Sequence, residues 1–244
     1  MSPPQPAQSP QIVVSPDKAR MAAAAADEVR AIAAAAIAAR GRFRVALAGG
    51  STPRAVYPHL LTGVDWTRAD VFLGDERAVP PDDPQSNYRM ARETLLGPAH
   101  VPDANVHRWR TETADLDAAA RAYEQTLRAG GGPPWLDLAL LGLGPDGHTA
   151  SLFPGTSALT VEDRLAVALD VPALKTRRLT LTYPALLGAT HVIFLVSGSE
   201  KRSALVEVLR PGSALPAARI IQRPSGVRIL CDAEAAQDIN APHP

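Results

Sequence analysis

Residues 136–154 read LDLALLGLGPDGHTASLFP, an almost wholly apolar run followed at once by a glycine-rich loop. The apolar part, residues 136–141, is typical of a strand whose two faces are both buried. Strands of that kind occur in parallel sheets that are covered by helices. This stretch therefore predicts an α/β fold, with strands and helices alternating along the rest of the chain.

Apolar or β-branched runs suitable for strands recur on both sides of this stretch, at 11–14, 43–48, 69–73, 165–169, 179–182, 191–196, 219–221 and 227–231. Helical patterns lie between many of them: an alanine-rich helix that opens at Ser15 and ends before Gly41, a helix from about Pro53, and helices at 87–96, 114–129 and 199–209. This alternation predicts a three-layer α/β/α, Rossmann-like fold around a mainly parallel sheet. We expect a single domain at 11–236, with a disordered Pro-rich tail at 1–10 and a C-terminal tail at 237–244.

The composition narrows the classes of partner. The 244 residues include 25 basic and 25 acidic side chains, so the formal net charge is zero, and neither nucleic acid nor a membrane surface is an expected partner. The single cysteine, Cys231, excludes an internal disulfide and a cysteine-based metal cluster. The first ten residues lack the features of a signal peptide, and charges interrupt the longest apolar stretch, so we expect a cytoplasmic protein.

Two segments have the chemistry of an anion site. Gly49, Gly50, Ser51 and Thr52 follow the strand at 43–48, and they offer close backbone amides and hydroxyls at the start of a helix. An ordinary strand-to-helix turn explains the same residues. Lys201 falls in the first turn of the helix at 199–209, where a cation opposes the helix dipole, so it either holds an anion or is a solvated surface lysine.

Ionisable side chains also crowd the end of the strand at 69–73. Asp75, Glu76 and Arg77 follow it directly, which is more charge than a helix cap requires. The alternative is a solvated loop in which Arg77 pairs with one of the two acids. This segment alone does not decide between them.

The loop at 142–149 contains the spacing G-x-G-x-x-G, which by itself suggests a dinucleotide site. Pro154 and Gly155 break the helix that such a site needs, and His148 lies where the pyrophosphate would approach. Of the six histidines only His148 lies in a glycine-rich loop at a strand end, two residues after an acid, Asp146. This favours a general base over a structural histidine. No two histidines have zinc-ligand spacing, so we expect no metal.

Taken together, these segments closely resemble the 6-phosphogluconolactonase family. The resemblance runs from about residue 13 to residue 231 and keeps the family's order of blocks, namely AGGSTP within 45–60, FLGDER at 72–77, DPQSNY at 83–88, GLGPDGHTASLFP at 142–154, RLTLTYPA at 178–185 and VSGSEKRSA at 196–204. One block departs from the family, which often has Lys-Pro-Pro before the arginine where this chain has KTRR at 175–178.

The resemblance implies an α/β fold shared with glucosamine-6-phosphate deaminase and ribose-phosphate isomerase. It implies hydrolysis of 6-phospho-D-glucono-1,5-lactone to 6-phosphogluconate with no metal or organic cofactor. We also expect a monomer or a weak homodimer. We expect His148 to activate water, because a neutral imidazole accepts a proton near neutral pH. The other expected roles are tautomer control by Asp146, sugar hydroxyl binding by Asp75, and oxyanion stabilisation by the loop amides around Gly144–Gly147 or by Arg77. The expected substrate-binding residues are Gly49, Gly50, Ser51, Thr52, Arg77, Arg178 and Lys201, with the phosphate on Gly50, Ser51, Thr52 and Lys201 and with Arg77 near it.

Two other functions remain open at this point. A phosphosugar deaminase or isomerase uses a similar glycine-rich turn and an Asp-Gly-His loop, but that family typically has Asp-Glu-Tyr where this chain has Asp75, Glu76 and Arg77. A phosphosugar sensor would bind 6-phosphogluconate and hydrolyse nothing. Arg77 and the TASLFP sequence at 149–154 favour the lactonase.

Overall fold

The computed structural model describes residues 10–223 and 225–239. Ten strands lie in this part of the chain: β1 Gln11–Ser15, β2 Phe43–Leu47, β3 Ala69–Leu73, β4 Asp75–Arg77, β5 Val106–His107, β6 Leu138–Gly142, β7 Ala166–Val171, β8 Thr176–Leu181, β9 His191–Val196 and β10 Val227–Asp232. The α-helices there are α1 Lys18–Arg40, α2 Ser51–Val56, α3 Asn87–Ala91, α4 Leu116–Arg128, α5 Tyr183–Leu187, α6 Arg202–Leu209, α7 Pro216–Ile221 and α8 Ala233–Ala236. The predicted tails fall outside the described residues, apart from residue 10 and residues 237–239.

Seven strands form one parallel sheet in the order β1-β10-β9-β6-β2-β3-β5. Strand β6 is buried from Leu138 to Leu141, as expected for an apolar strand with both faces covered. The predicted α/β class with a mainly parallel sheet is confirmed.

The strand order reverses between β2 and β6. From β2 the chain moves through β3 to β5 in one direction, and from β6 it moves through β9 to β10 in the other. Because crossovers between parallel strands are right-handed, the two directions put their helices on opposite faces of the sheet. The reversal opens a crevice beyond the carboxyl ends of β2 and β6, and this is where open α/β sheets bind ligands.

Three strands lie outside the main sheet. Strands β4, β8 and β7 form a small antiparallel sheet in the order β4-β8-β7. The segments at 165–169 and 179–182 are thus strands as predicted, but they do not join the parallel sheet. Asp75–Arg77 is a short strand instead of the predicted loop, because it pairs with β8 directly after β3 ends.

Several predicted boundaries were wrong. Residues 219–221 belong to α7, since Pro216 begins a helix there and Ile220 and Ile221 pack into the core from it. β6 begins at Leu138, because buried Asp137 accepts the backbone N–H of Arg44 before the strand starts. The helix at 87–96 is α-helical only to Ala91 and continues as a π-helical turn, Arg92–Leu96.

The ends of α1 follow from local chemistry. The helix begins later than the predicted Ser15, because Asp17 is the N-cap and accepts the backbone N–H of Arg20. The helix ends before Gly41 as predicted, and Gly41 has a φ of 77°, the left-handed conformation typical of glycine after a helix. Alanines on the buried side of α1 lie against the sheet, so a small side chain at each position lets the helix approach closely. Cys231 is buried in β10, one residue before the strand ends.

Candidate active site

A cavity of about 510 Å³ opens at the carboxyl ends of β2 and β6, at the reversal point of the sheet. Its walls come from the loops after β2, β3, β6 and β9 and from the small antiparallel sheet. All eleven site residues predicted from the sequence line it: Gly49, Gly50, Ser51, Thr52, Asp75, Arg77, Gly144, Asp146, His148, Arg178 and Lys201. Loops that are far apart in the sequence therefore meet in one pocket.

The loop after β6 holds a histidine–carboxylate pair. Asp146 Oδ1 lies 2.5 Å from His148 Nδ1 and also accepts the backbone N–H of His148 at 3.2 Å. Burial favours the protonated form of Asp146, but the hydrogen bond and charge of His148 outweigh it, so the pKa of Asp146 lies below its usual value. The carboxylate therefore stays ionised and holds Nδ1 as the protonated nitrogen, which leaves Nε2 as the basic one.

The shape of this loop depends on its glycines and on Phe153. A Cβ atom at Gly144 would lie 2.0 Å from His148 Nδ1, so only glycine leaves room for the imidazole. Gly147 has a φ of 76°, which a residue with a side chain rarely adopts. The ring of Phe153 stacks on the imidazole with 4.0 Å between ring centroids, and this fixes the plane of the ring.

The backbone amides of this loop are largely used within it. The N–H of Gly144 donates to the carbonyl of His148 at 2.8 Å, and the N–H of Gly147 donates to the carbonyl of Gly144 at 3.0 Å. Both amides were expected as oxyanion donors. Since each amide already has an acceptor, both are poorly placed to stabilise an oxyanion. Arg77 is the other oxyanion donor that the sequence predicts.

The Asp75 carboxylate is held by two residues that the sequence analysis did not assign to the site. Ser151 Oγ donates to one carboxylate oxygen at 2.5 Å, and Asn87 Nδ2 donates to the other at 3.0 Å. Both donors line the cavity. Both residues lie in motifs that carried the family resemblance, Ser151 in the block at 142–154 and Asn87 in the block at 83–88, but neither residue stood out from its neighbours.

Glu76 points away from the pocket, as the period of two along β4 requires. The side chain is 2% exposed and accepts hydrogen bonds from Ser86 Oγ and from the backbone N–H groups of Arg77, Asn87 and Tyr88. Burial raises the pKa of Glu76, and these hydrogen bonds oppose that rise. Glu76 thus fixes the start of α3, and Asn87 with it, against β4.

Three cations face the cavity. Arg77 donates to the carbonyl of Gln85 and makes an ion pair with neither acid beside it, so the solvated-loop alternative is wrong. Lys201 ends the 3-10 turn Ser199–Lys201 just before α6, and its ammonium has no hydrogen bond or ion pair within residues 10–223 and 225–239. Arg178 lies opposite Arg77 on β8. The pocket also has two carboxylates, Asp75 and Asp146, and both already accept hydrogen bonds. With three cations and two carboxylates, the pocket suits an anionic ligand.

The described part of the chain contains neither a metal-binding cluster nor a membrane-spanning helix. No group of three or more histidine, cysteine, aspartate or glutamate side chains there is arranged to hold a metal ion. Among the helices described above, none is both long and apolar enough to span a bilayer.

A cationic pocket with a histidine–carboxylate pair, set at the reversal point of a parallel sheet, defines an α/β protein built for a small anionic molecule. The chain belongs to the family described as glucosamine-6-phosphate isomerases/6-phosphogluconolactonase, whose sequence pattern matches residues 16–230.

Individual relatives agree with the family assignment. The chain is 40% identical over 238 residues to a 6-phosphogluconolactonase of Nostoc sp., which covers 94% of this chain and 98% of that protein. It is 43% identical over 213 residues to a 6-phosphogluconolactonase of Synechocystis sp., covering 84% and 88%. The solved structure of 6-phosphogluconolactonase from Trypanosoma cruzi superposes with a TM-score of 0.84 at 30% identity, over 97% of this chain and 99% of that one.

Proposed function

We propose that this protein is a lactonase that hydrolyses 6-phospho-D-glucono-1,5-lactone to 6-phosphogluconate, the second step of the oxidative pentose phosphate pathway. The observation that carries the proposal is the His148–Asp146 pair, facing a pocket with three cations. The names of the relatives at 40% and 43% identity give independent support.

His148 is the proposed general base. Its Nε2 takes a proton from a water molecule while the water oxygen attacks the lactone carbonyl carbon, which gives a tetrahedral oxyanion and an imidazolium. When the oxyanion collapses, the bond between C1 and the ring oxygen breaks, and the proton on Nε2 passes to that oxygen. Asp146 accepts the Nδ1–H throughout and stabilises the imidazolium, so it acts through His148.

The substrate is held, in this proposal, from both ends. The 6-phosphate is bound by Gly50, Ser51 and Thr52, and Lys201 supplies the full opposite charge. The Asp75 carboxylate faces the same cavity and accepts hydrogen bonds from sugar hydroxyls. Because Ser151 and Asn87 already donate to Asp75, its position is set before substrate arrives.

The wider organisation is proposed on the same basis. A single catalytic domain spans 11–236, flanked by the two tails, and the enzyme works in the cytoplasm as a monomer or weak homodimer. It uses neither a metal nor an organic cofactor, because a lactone carbonyl is electrophilic enough for attack by water with an imidazole base.

The deciding experiment supplies freshly generated lactone and follows acid release, corrected for spontaneous hydrolysis. The proposal predicts acid release above the spontaneous rate and no ammonia from glucosamine 6-phosphate. Ammonia release without lactone hydrolysis would make the protein a deaminase. Binding of 6-phosphogluconate with neither activity would make it a sensor.

A further inference from the structure

Asp232 is a buried acid that the proposed mechanism does not use. It is the last residue of β10, it contacts the loop that follows β9, and it is only 3% exposed. A charged group in such a place is costly unless hydrogen bonds replace the lost water. Burial favours the protonated form of Asp232, but hydrogen bonds from Ser197, Ala235 and Gly198 outweigh burial and lower the pKa of Asp232. The fold therefore keeps a buried negative charge at this point.

Three donors share this carboxylate. Ser197 Oγ donates to Oδ2 at 2.5 Å, and the backbone N–H of Gly198 lies 3.2 Å from each of the two oxygens. The backbone N–H of Ala235, in the first turn of α8, donates to Oδ1 at 2.9 Å. A serine or an asparagine would cap α8 equally well, but neither has two acceptor oxygens. The carboxylate of Asp232 is therefore required by the loop after β9 and not by the helix.

The loop after β9 leads directly to Lys201. Its carbonyl at Gly198 accepts the backbone N–H of Lys201 at 3.1 Å, which closes the 3-10 turn Ser199–Lys201. Gly198 has a φ of 98°, in a region that glycine enters freely and other residues rarely. Because a glycine is free to adopt many conformations, the turn has no fixed direction of its own. The hydrogen bond from Gly198 to Asp232 supplies that direction.

A second contact holds the chain on the other side of Lys201. Arg202 Nε donates to the carbonyl of Glu234 at 3.2 Å and lies 3.7 Å from Asp238 Oδ2. The segment at 232–238, which contains Asp232 and α8, thus contacts the chain both before and after Lys201. Of the described residues at 197–202 and 232–238, only Lys201 lines the cavity. The other residues of these two segments therefore affect a ligand only through Lys201.

We propose that Asp232 is a positioning residue for Lys201. Through Ser197 and Gly198 it fixes the turn from which the Lys201 ammonium reaches the phosphate of the substrate. The inference rests on the proposed function for the identity of that phosphate. A lysine side chain is long and flexible, so it loses conformational freedom when it holds a ligand. A backbone that is already fixed where the side chain begins reduces this loss and so tightens binding.

The test is a double-mutant cycle of Ser197→Ala and Lys201→Gln, measured by calorimetric titration with 6-phosphogluconate. Ser197→Ala removes the hydroxyl that contacts Asp232 and leaves the cap of α8 in place. It should weaken binding roughly three- to tenfold in the wild type, the loss typical of one hydrogen bond. In the Lys201→Gln background the same change should weaken binding by less than about twofold, because the residue that it positions is gone. Asp232→Asn should show the same coupling to Lys201, since its amide nitrogen leaves at least one of the three donors without an acceptor.

Asp115→Asn is the matched control, because Asp115 caps α4 through the backbone N–H of Ala118 outside the cavity and should leave the affinity unchanged. Urea titration of each variant shows that the protein titrated is folded. An equal loss from Ser197→Ala with and without Lys201 overturns the inference, since a general structural role moves both backgrounds alike. Unchanged affinity in Ser197→Ala and Asp232→Asn overturns it as well.

This cycle also keeps the two proposals apart, because binding of 6-phosphogluconate needs no turnover. Coupling between Ser197 and Lys201 in a protein that does not hydrolyse the lactone keeps the positioning role and removes the lactonase. Hydrolysis of the lactone without that coupling keeps the lactonase and removes the positioning role of Asp232.

Discussion

Replacing Asp146 separates two effects that this carboxylate has on His148. Its Oδ1 contacts both Nδ1 and the backbone N–H of His148. In Asp146→Asn the backbone N–H still orients the side-chain oxygen toward the ring, so the tautomer is kept while the negative charge is lost. In Asp146→Ala both the charge and the orientation are lost.

The expected magnitude follows from the exposure of the pair. Hydrogen bonds to charged groups contribute about 1.5–3 kcal/mol, and the side chain of Asp146 is 48% exposed, so water reduces its effect to the lower half of that range. With about 1.4 kcal/mol for each factor of ten, kcat should fall roughly tenfold in Asp146→Asn. The alanine variant, with a free imidazole, should lose about a hundredfold.

The assay measures acid release from fresh lactone at saturating concentration, and calorimetry with 6-phosphogluconate checks that binding survives. Asp163→Asn is the control, because Asp163 is an exposed acid outside the pocket, and it should behave as the wild type. Wild-type kcat in Asp146→Ala would refute the reasoning. A loss confined to KM would also refute it, since that would make Asp146 a substrate ligand instead of a residue that orients the base.

Three further outcomes are expected. Lys201→Ala should raise KM for the lactone at least tenfold with a smaller fall in kcat, because uniform binding of the phosphate is lost; an unchanged KM would mean a solvated lysine. Dialysis against EDTA should leave kcat unchanged, and a loss restored by one divalent ion would reveal a metal site. The free energy of unfolding should fall from about pH 5 toward about pH 2. Burial favours the protonated form of Asp70, but hydrogen bonds to Arg42 and His107 outweigh burial and lower the pKa of Asp70. The stabilisation that ionised Asp70 gives the folded protein is therefore present above the ordinary pKa of aspartate and is lost as the pH falls below it. Asp70→Asn should flatten that slope, as followed by urea titration.

The parallel sheet was predictable because apolar runs with both faces buried have a strong sequence signal, and residues 136–141 and 191–196 are of this kind. The small antiparallel sheet was not. Strand β4 is three charged residues, and it forms only because β8 supplies hydrogen bonds from a distant part of the chain. The helix Pro216–Ile221 was predicted as a strand because it ends in two β-branched residues, Ile220 and Ile221. An apolar run that short is buried in a helix as well as in a strand, so its pattern does not distinguish the two.

The site residues with unusual local chemistry were found from sequence, and His148 in its glycine loop is the clearest example. The supporting residues were not, since Ser151 and Asn87 matter only through contact with Asp75, which lies 76 and 12 residues away in the chain. The hydrogen bonds that occupy the amides of Gly144 and Gly147 depend on the loop conformation, and this also has no sequence signal.

The role of His148 as the base is tested most directly by one measurement: the hydrolysis rate of fresh 6-phospho-D-glucono-1,5-lactone by the wild type and by His148→Ala, each corrected for spontaneous hydrolysis. His100→Ala, at an exposed histidine outside the cavity, is the control. We expect kcat in His148→Ala to fall by about 10²–10⁴-fold while 6-phosphogluconate still binds, because a positioned general base contributes that much. Turnover in His148→Ala equal to that of the wild type would contradict the assignment of His148 as the base.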